Sequence, residues 1–261
     1  MIQLTSEHLA LAYDQNEVIR DLSLKIPSQQ ITALVGPNGS GKSTLLRGLA
    51  RLMKPERGAV YLDGQAIHQL PTKQVAKQLA VLPQRPEAPD GLVVRELVAF
   101  GRFPYQGYLG IATEDDDARI ESALAITGMD GLADRQLGEL SGGQRQLAWI
   151  AMAFAQDTQV LLLDEPTTFL DMAHQLEVLE VLARLHREQQ RTIVMVLHDI
   201  NQAARYAQFM VALVAGQIVA SGSPREIVNR TTLARVFEIE AEVGTAGPRD
   251  SPYCVPIRIC R

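Results

Sequence analysis

Ile31-Thr32-Ala33-Leu34-Val35, followed at once by Gly36-Pro37-Asn38-Gly39-Ser40-Gly41-Lys42-Ser43, decides how the rest of the chain is read. A short apolar run ending in G-x-x-x-x-G-K-[ST], with a helical pattern over Thr44 to Arg51 behind it, predicts a strand, a phosphate-binding loop and a helix. Gly36, Gly39 and Gly41 let backbone N–H groups turn toward an anion, while Pro37, Asn38 and Ser40 fill the variable positions. Lys42 reaches terminal phosphates, Ser43 supplies a hydroxyl for Mg²⁺, and the helix opening at Thr44 aims its positive end at the same charge. A glycine-rich turn ahead of an ordinary helix fits less well, because every fixed position is filled in order.

Two further segments carry chemistry. Leu140-Ser141-Gly142-Gly143-Gln144 leads into an apolar helical pattern over Arg145 to Gln156, a second helix start able to take an anion. Read alone, it is equally a turn with a serine cap. Val160-Leu161-Leu162-Leu163-Asp164-Glu165 is an apolar strand ending in paired carboxylates, the arrangement in which one acid serves Mg²⁺ and its neighbour polarises water. Each is common by itself; the order of the three is specific.

The 261 residues, 46% apolar, suffice for one substantial α/β core with a smaller helical appendage. A net charge of −5 argues against a nucleic-acid footprint. No basic segment with an apolar core opens the chain, and its longest apolar runs fall far short of the roughly 20 residues a spanning helix needs. The expected place is therefore cytosolic, with any membrane role peripheral. Cys254 and Cys260 lack His or further Cys at ligand spacing and read as ordinary thiols.

Strands are expected at 2–11, 22–26, 31–35 and 59–62, with central parallel strands at 160–163 and 192–197. A closing hairpin is expected from Met210 to Ala220, turning at Ala215-Gly216. From Thr113 to Ala155 the pattern is helical, and Thr113 with Asp116 forms a capping box. The acidic run Glu114 to Asp117 reads as a solvated helix start.

The phosphate loop, Leu-Ser-Gly-Gly-Gln and strand-Asp-Glu, in this order, resemble the ATPase subunits of ABC transporters, and the resemblance runs from about Leu4 to Ile227. It implies a P-loop α/β ATPase core with an antiparallel β subdomain and an inserted α-helical subdomain at about 86–156, within an ATPase domain of residues 1–240 and a C-terminal extension of 241–261. Tyr13 lies where the family stacks an aromatic ring on adenine, and Val18 where a small apolar side chain flanks the base. Gln84 matches the glutamine that contacts Mg²⁺ and the attacking water and senses the membrane partner. Thr168-Phe169-Leu170-Asp171 matches the loop crossing between subunits, and His198 the histidine on the γ-phosphate.

Within the family the likeness is to importer subunits for ferric siderophores, haem and cobalamin, carried by Gly101-Arg102-Phe103-Pro104-Tyr105, Trp149-Ile150-Ala151-Met152-Ala153, Pro166 to Asp171 and Leu197 to Ala203. It implies two copies facing head to tail at the cytoplasmic face of the membrane. ATP then lies between residues 36–44 of one and Ser141, Gly142, Gly143 and Gln144 of the other. The membrane permease, a separate chain, docks after Gln84, over Arg85 to Tyr108, and a substrate-binding protein acts only indirectly. Glu165, His198, Gln84 and Lys42 form the expected catalytic set, and Ser43, Gln84 and Asp164 the Mg²⁺ set. Leu147 stands where relatives carry arginine, which would weaken a surface contact of its helix, and Gln29 where they have a turn glycine. A DNA-repair ATPase uses the same sandwich but inserts a long coiled coil between phosphate loop and signature, and no sustained heptads occupy that interval here. A non-hydrolysing, ATP-gated module is disfavoured by the intact Glu165, Gln84 and His198.

Overall fold

A computed structural model describes residues 2–107, 113–247 and 250–260, so the last residue of the expected permease surface, Tyr108, lies outside the described residues. The chain forms two compact units, Met1–Gln69 with Thr192–Arg261, and Leu70–Arg191.

The first unit opens with the antiparallel hairpin β1 (Leu4–Tyr13) and β2 (Asn16–Ile26). The gap expected before Leu22 is strand instead, because Ile19 pairs across from Leu11 and both are fully buried, which carries the polar residues around them into the ladder. Next come β3 (Ile31–Val35), buried throughout, α1 (Lys42–Leu49), β4 (Arg57–Leu62) and β5 (Gln65–Ala66). The helix begins at Lys42 rather than Thr44 and stops before Arg51, which takes a left-handed φ of 62°. Strands β2-β1-β4-β5 make the expected antiparallel sheet. Gln29 holds a left-handed φ of 56°, so the turn keeps the backbone that a glycine adopts without strain.

The second unit contains α2 (Thr72–Ala76), β6 (Leu79–Leu82), α3 (Val94–Phe100), α4 (Glu114–Thr127), α5 (Gly142–Ala155), β7 (Val160–Leu163) and α6 (Met172–Gln189). Thr113 and Asp116 close the expected capping box on α4. The helical stretch is not continuous: Gly128, at φ 69°, ends α4, and two short 3-10 turns precede α5. Leu147 is 3% exposed on α5, so an apolar side chain there fills core and forfeits no surface contact, contrary to the sequence expectation. Strands β6 and β7 run parallel, Leu82 opposite Leu163.

A buried ionic cluster fixes the turn after α3. A Cβ at Gly101 would fall 2.2 Å from the Met152 carbonyl oxygen, so only glycine lets this turn touch the α5 backbone. Arg102, 2% exposed, then donates through Nε to Asp116 at 2.8 Å and through Nη1 to the Ala155 carbonyl at 2.8 Å. Its guanidinium lies 4.0 Å from the centre of the Tyr105 ring. Burial works to raise the Asp116 carboxyl, but hydrogen bonds from Thr113 and Arg102 outweigh it and hold the group below the ordinary carboxylate range.

The chain returns to the first unit as β8 (Thr192–Val196), α7 (Ile200–Tyr206), β9 (Phe209–Val214), β10 (Gln217–Gly222), α8 (Pro224–Ile227), α9 (Arg230–Phe237), β11 (Ile239–Ala246) and β12 (Ser251–Ile259). Strand β3 lies between β8 and β9, parallel to both. Strand β10 closes on β9 through Ala215 and Gly216, whose φ values of 47° and 78° fit a type I′ turn. The C-terminal residues form the hairpin β11–β12, tied down by Asn201, which accepts from the Cys254 N–H at 2.8 Å and donates to its carbonyl at 3.1 Å. Both cysteines are free; burial, then the Asp199 charge, pushes the Cys254 thiol up. No helix among the described residues is long and apolar enough to cross a membrane.

Candidate functional site

The first unit builds the phosphate loop from its own strand ends. Strand β3 runs into the loop, and its parallel neighbour β8 runs into His198; the Leu197 N–H donates to the Leu34 carbonyl at 3.1 Å. Both segments thus leave the carboxyl ends of adjacent parallel strands, where ligands bind in open α/β sheets. His198 is exposed there. Gly36, Gly39 and Gly41 have φ values of 144°, 75° and 98°, and a Cβ at Gly36 would strike the Leu213 carbonyl oxygen at 2.1 Å. A Cβ at Gly41 would lie 3.4 Å from Val18 Cγ1, which puts Val18 against the loop. Tyr13 is 45% exposed and its hydroxyl accepts from Arg47 at 3.1 Å, leaving ring surface available for stacking.

Lys42 is buried, and its Nζ donates to the Gly36 and Pro37 carbonyls at 2.9 and 2.8 Å, which curls the ammonium back over the loop. The Ser40 Oγ is buried without a hydrogen-bond partner. An ammonium, hydroxyls and N–H groups at glycine-only backbone angles form a donor set suited to phosphate oxygens.

The second unit repeats the strand-end device with acids. Strand β6 leads through Pro83 to Gln84, and β7 leads to Asp164 and Glu165, the Asp164 N–H donating to the Leu82 carbonyl at 2.9 Å. Asp164 is 3% exposed. Glu165 takes a left-handed φ of 53°, uncommon for a side chain of its size. Its Oε2 accepts from Gln84 Nε2 at 2.6 Å and from the Thr168 hydroxyl at 2.9 Å. The Gln84 amide nitrogen faces Glu165, so its carbonyl oxygen is the atom suited to a hard cation. With the Asp164 carboxylate beside it in the same unit, this oxygen is of the ligand type that suits Mg²⁺.

At the start of α5, Ser141 Oγ accepts from the Gln144 N–H at 3.2 Å and Gln144 Oε1 accepts from the Ser141 N–H at 3.1 Å, a closed capping box. Both side chains therefore serve the helix end. The two glycines between them differ in room. A Cβ at Gly143 would sit 2.1 Å from the His174 ring, whereas one at Gly142 meets only Leu170, at 3.7 Å. Sequence reading missed His174, held over Gly143 by Asp171 at 2.8 Å, and the hydroxyl of Thr168. Only the second had a signal: a hydroxyl three residues after Glu165 across Pro166, a turn spacing.

A phosphate loop on a parallel strand, with paired acids and a polarising amide at other parallel strand ends, defines a nucleoside-triphosphate-hydrolysing class of protein. The chain belongs to the ABC transporter family, which matches residues 19–168. It is 50% identical to the iron(3+)-hydroxamate import ATP-binding protein FhuC of Bacillus subtilis (strain 168), over 98% of this chain and 95% of that protein. The ferric enterobactin transport ATP-binding protein FepC of Escherichia coli (strain K12) is 44% identical over 98% of this chain and 94% of its own length. Among solved structures, a metal-chelate type ABC transporter in an inward-facing conformation superposes with a TM-score of 0.84 at 29% identity, covering 98% of both chains. A dimeric ATP-binding cassette in a post-hydrolysis state with ADP and Pi gives 0.74 at 27% identity, over 84% of this chain and 98% of that one. The fold is that of an ABC-type ATPase, and the expected class is borne out.

Proposed function

We propose that this chain is the ATP-hydrolysing subunit of an importer for ferric siderophores, working as two copies under a separate permease at the cytoplasmic face of the membrane. The site observation that supports hydrolysis is the 2.6 Å contact between Gln84 and the Glu165 carboxylate next to the buried Asp164. In this reading Lys42 and the loop N–H groups hold the β- and γ-phosphates, Tyr13 and Val18 take the base, and His198 orients the γ-phosphate. Glu165 takes a proton from the attacking water. Ser43, Gln84 and Asp164 are the residues that hold Mg²⁺, which when bound neutralises charge on phosphate oxygens. The substrate class rests on the names of relatives such as the hydroxamate and enterobactin proteins.

Sharing of each nucleotide between copies has its test at the signature glycines. Gly142→Asp places a carboxylate at the helix start where there is room, so ATP-dependent dimerisation should be lost while the monomer keeps its melting temperature and its ATP affinity. Gly143→Asp drives its side chain into His174 and should also unfold more easily, by about 1–3 kcal/mol in chemical denaturation. A Gly142→Asp protein that dimerises normally on ATP by size-exclusion chromatography counts against sharing.

The physiological test is uptake of radiolabelled iron over a panel of chelates. Deleting the subunit should abolish accumulation of siderophore iron, because binding without driven closure only equilibrates the sites. Normal siderophore uptake together with loss of haem or cobalamin uptake would move the substrate to that sister class.

A further inference from the structure

We infer that Thr168 is a positioning residue for hydrolysis, holding the Glu165 carboxylate in orientation through its Oε2; this rests on Glu165 being the base. The local fold brings Thr168 there. The Thr168 N–H donates to the Glu165 carbonyl at 3.2 Å, closing a four-residue turn whose second residue is Pro166, and Pro fixes the φ such a turn needs. The turn returns the Thr168 hydroxyl to Glu165 Oε2 at 2.9 Å. The first residue of this turn, Glu165, and the residue after it, Phe169, have φ values of 53° and 64°, so the segment is held in a conformation that side chains seldom adopt.

Gln84 donates to the same oxygen, from a different strand end, at 2.6 Å. Two donors from different segments thus meet on the one oxygen, Oε2. Gln84 is also the residue assigned to Mg²⁺ and to the permease, so its side chain has another place to be during the cycle. The Thr168 hydroxyl comes from the same turn as Glu165, whereas Gln84 reaches it from another strand end. In the hydrolytic step the water oxygen bonds to the γ-phosphorus, the bond from phosphorus to the β–γ bridging oxygen breaks, and the water proton passes to the Glu165 carboxylate.

The measurements are single-turnover ATP hydrolysis, equilibrium ATP binding and thermal melting on purified full-length protein. Thr168→Val keeps the shape and removes the donor; the hydrolysis rate constant should fall about 10- to 100-fold with ATP affinity and melting temperature unchanged. Thr168→Ser restores the donor and should return the rate to within about 3-fold of the parent, whereas a purely structural role would leave Ser and Val alike. Wild-type hydrolysis by Thr168→Val, alongside an inactive Glu165→Gln, overturns the inference and leaves the base in place. Equal losses in the Ser and Val variants accompanied by lowered melting temperatures overturn it too. Full activity of Glu165→Gln would overturn the reading of the base itself.

Discussion

Glu165→Gln is expected to bind ATP as the parent does and to hydrolyse it about 100- to 10,000-fold more slowly, the span a positioned general base supplies. The amide is isosteric, so the turn over Pro166 and the hydrogen bond from Thr168 survive, but it cannot accept the water proton. The Gln84 contact is also retained, since an amide oxygen still accepts from Nε2. Binding and chemistry therefore separate. ATP with Mg²⁺ should drive the variant into a long-lived dimer, visible by size-exclusion chromatography, because nothing discharges the nucleotide that holds the copies together. Near-parental turnover would place the base elsewhere.

Arg102→Ala should cost about 3–5 kcal/mol of folding stability, a fall in melting temperature of roughly 6–20 °C, because it leaves the Asp116 charge buried and half satisfied. The damage includes the Ala155 carbonyl, which loses its donor at the end of α5, and the Tyr105 ring, which loses its cation. Replacing both charges, Arg102→Met with Asp116→Leu, should recover most of the loss, since well-packed apolar groups often match a buried ion pair. Acid gives a further signature. Asp116 is held below its ordinary value by Thr113 and Arg102, so its contribution is present above the unfolded carboxylate pKa of about 3.9 and disappears as pH falls through the lower folded value. The loss of parental stability below about pH 4 should therefore shrink in Arg102→Ala. Denaturant unfolding at several pH values measures all of this, and a change under 1 kcal/mol for Arg102→Ala would show the pair to be solvated.

The sequence by itself determined the phosphate loop, the paired carboxylates and the order of elements, because each depends on residues adjacent along the chain. G-x-x-x-x-G-K-S needs only its own backbone angles, and an unbroken apolar run such as Val160 to Leu163 admits no wet face. The Thr113–Asp116 capping box and the Ala215-Gly216 hairpin were legible for the same reason, since a span of four residues or a turn of two suffices to make them.

Tertiary structure decided what depends on distant partners. Nothing local shows that Ile19 faces Leu11 and so extends a strand through polar residues, or that Leu147 is core rather than surface. The Gly101 to Tyr105 segment read as a mark of kinship; its physical meaning came from the α5 backbone 2.2 Å from where a Cβ would be, and from Asp116 fourteen residues on. Gln84 and Glu165 are 81 residues apart, and only the parallel pairing of the strands before them brings an amide onto a carboxylate. A motif fixes the chemistry available at each strand end, whereas the amide that reaches the carboxylate is set by which ends the sheet makes neighbours.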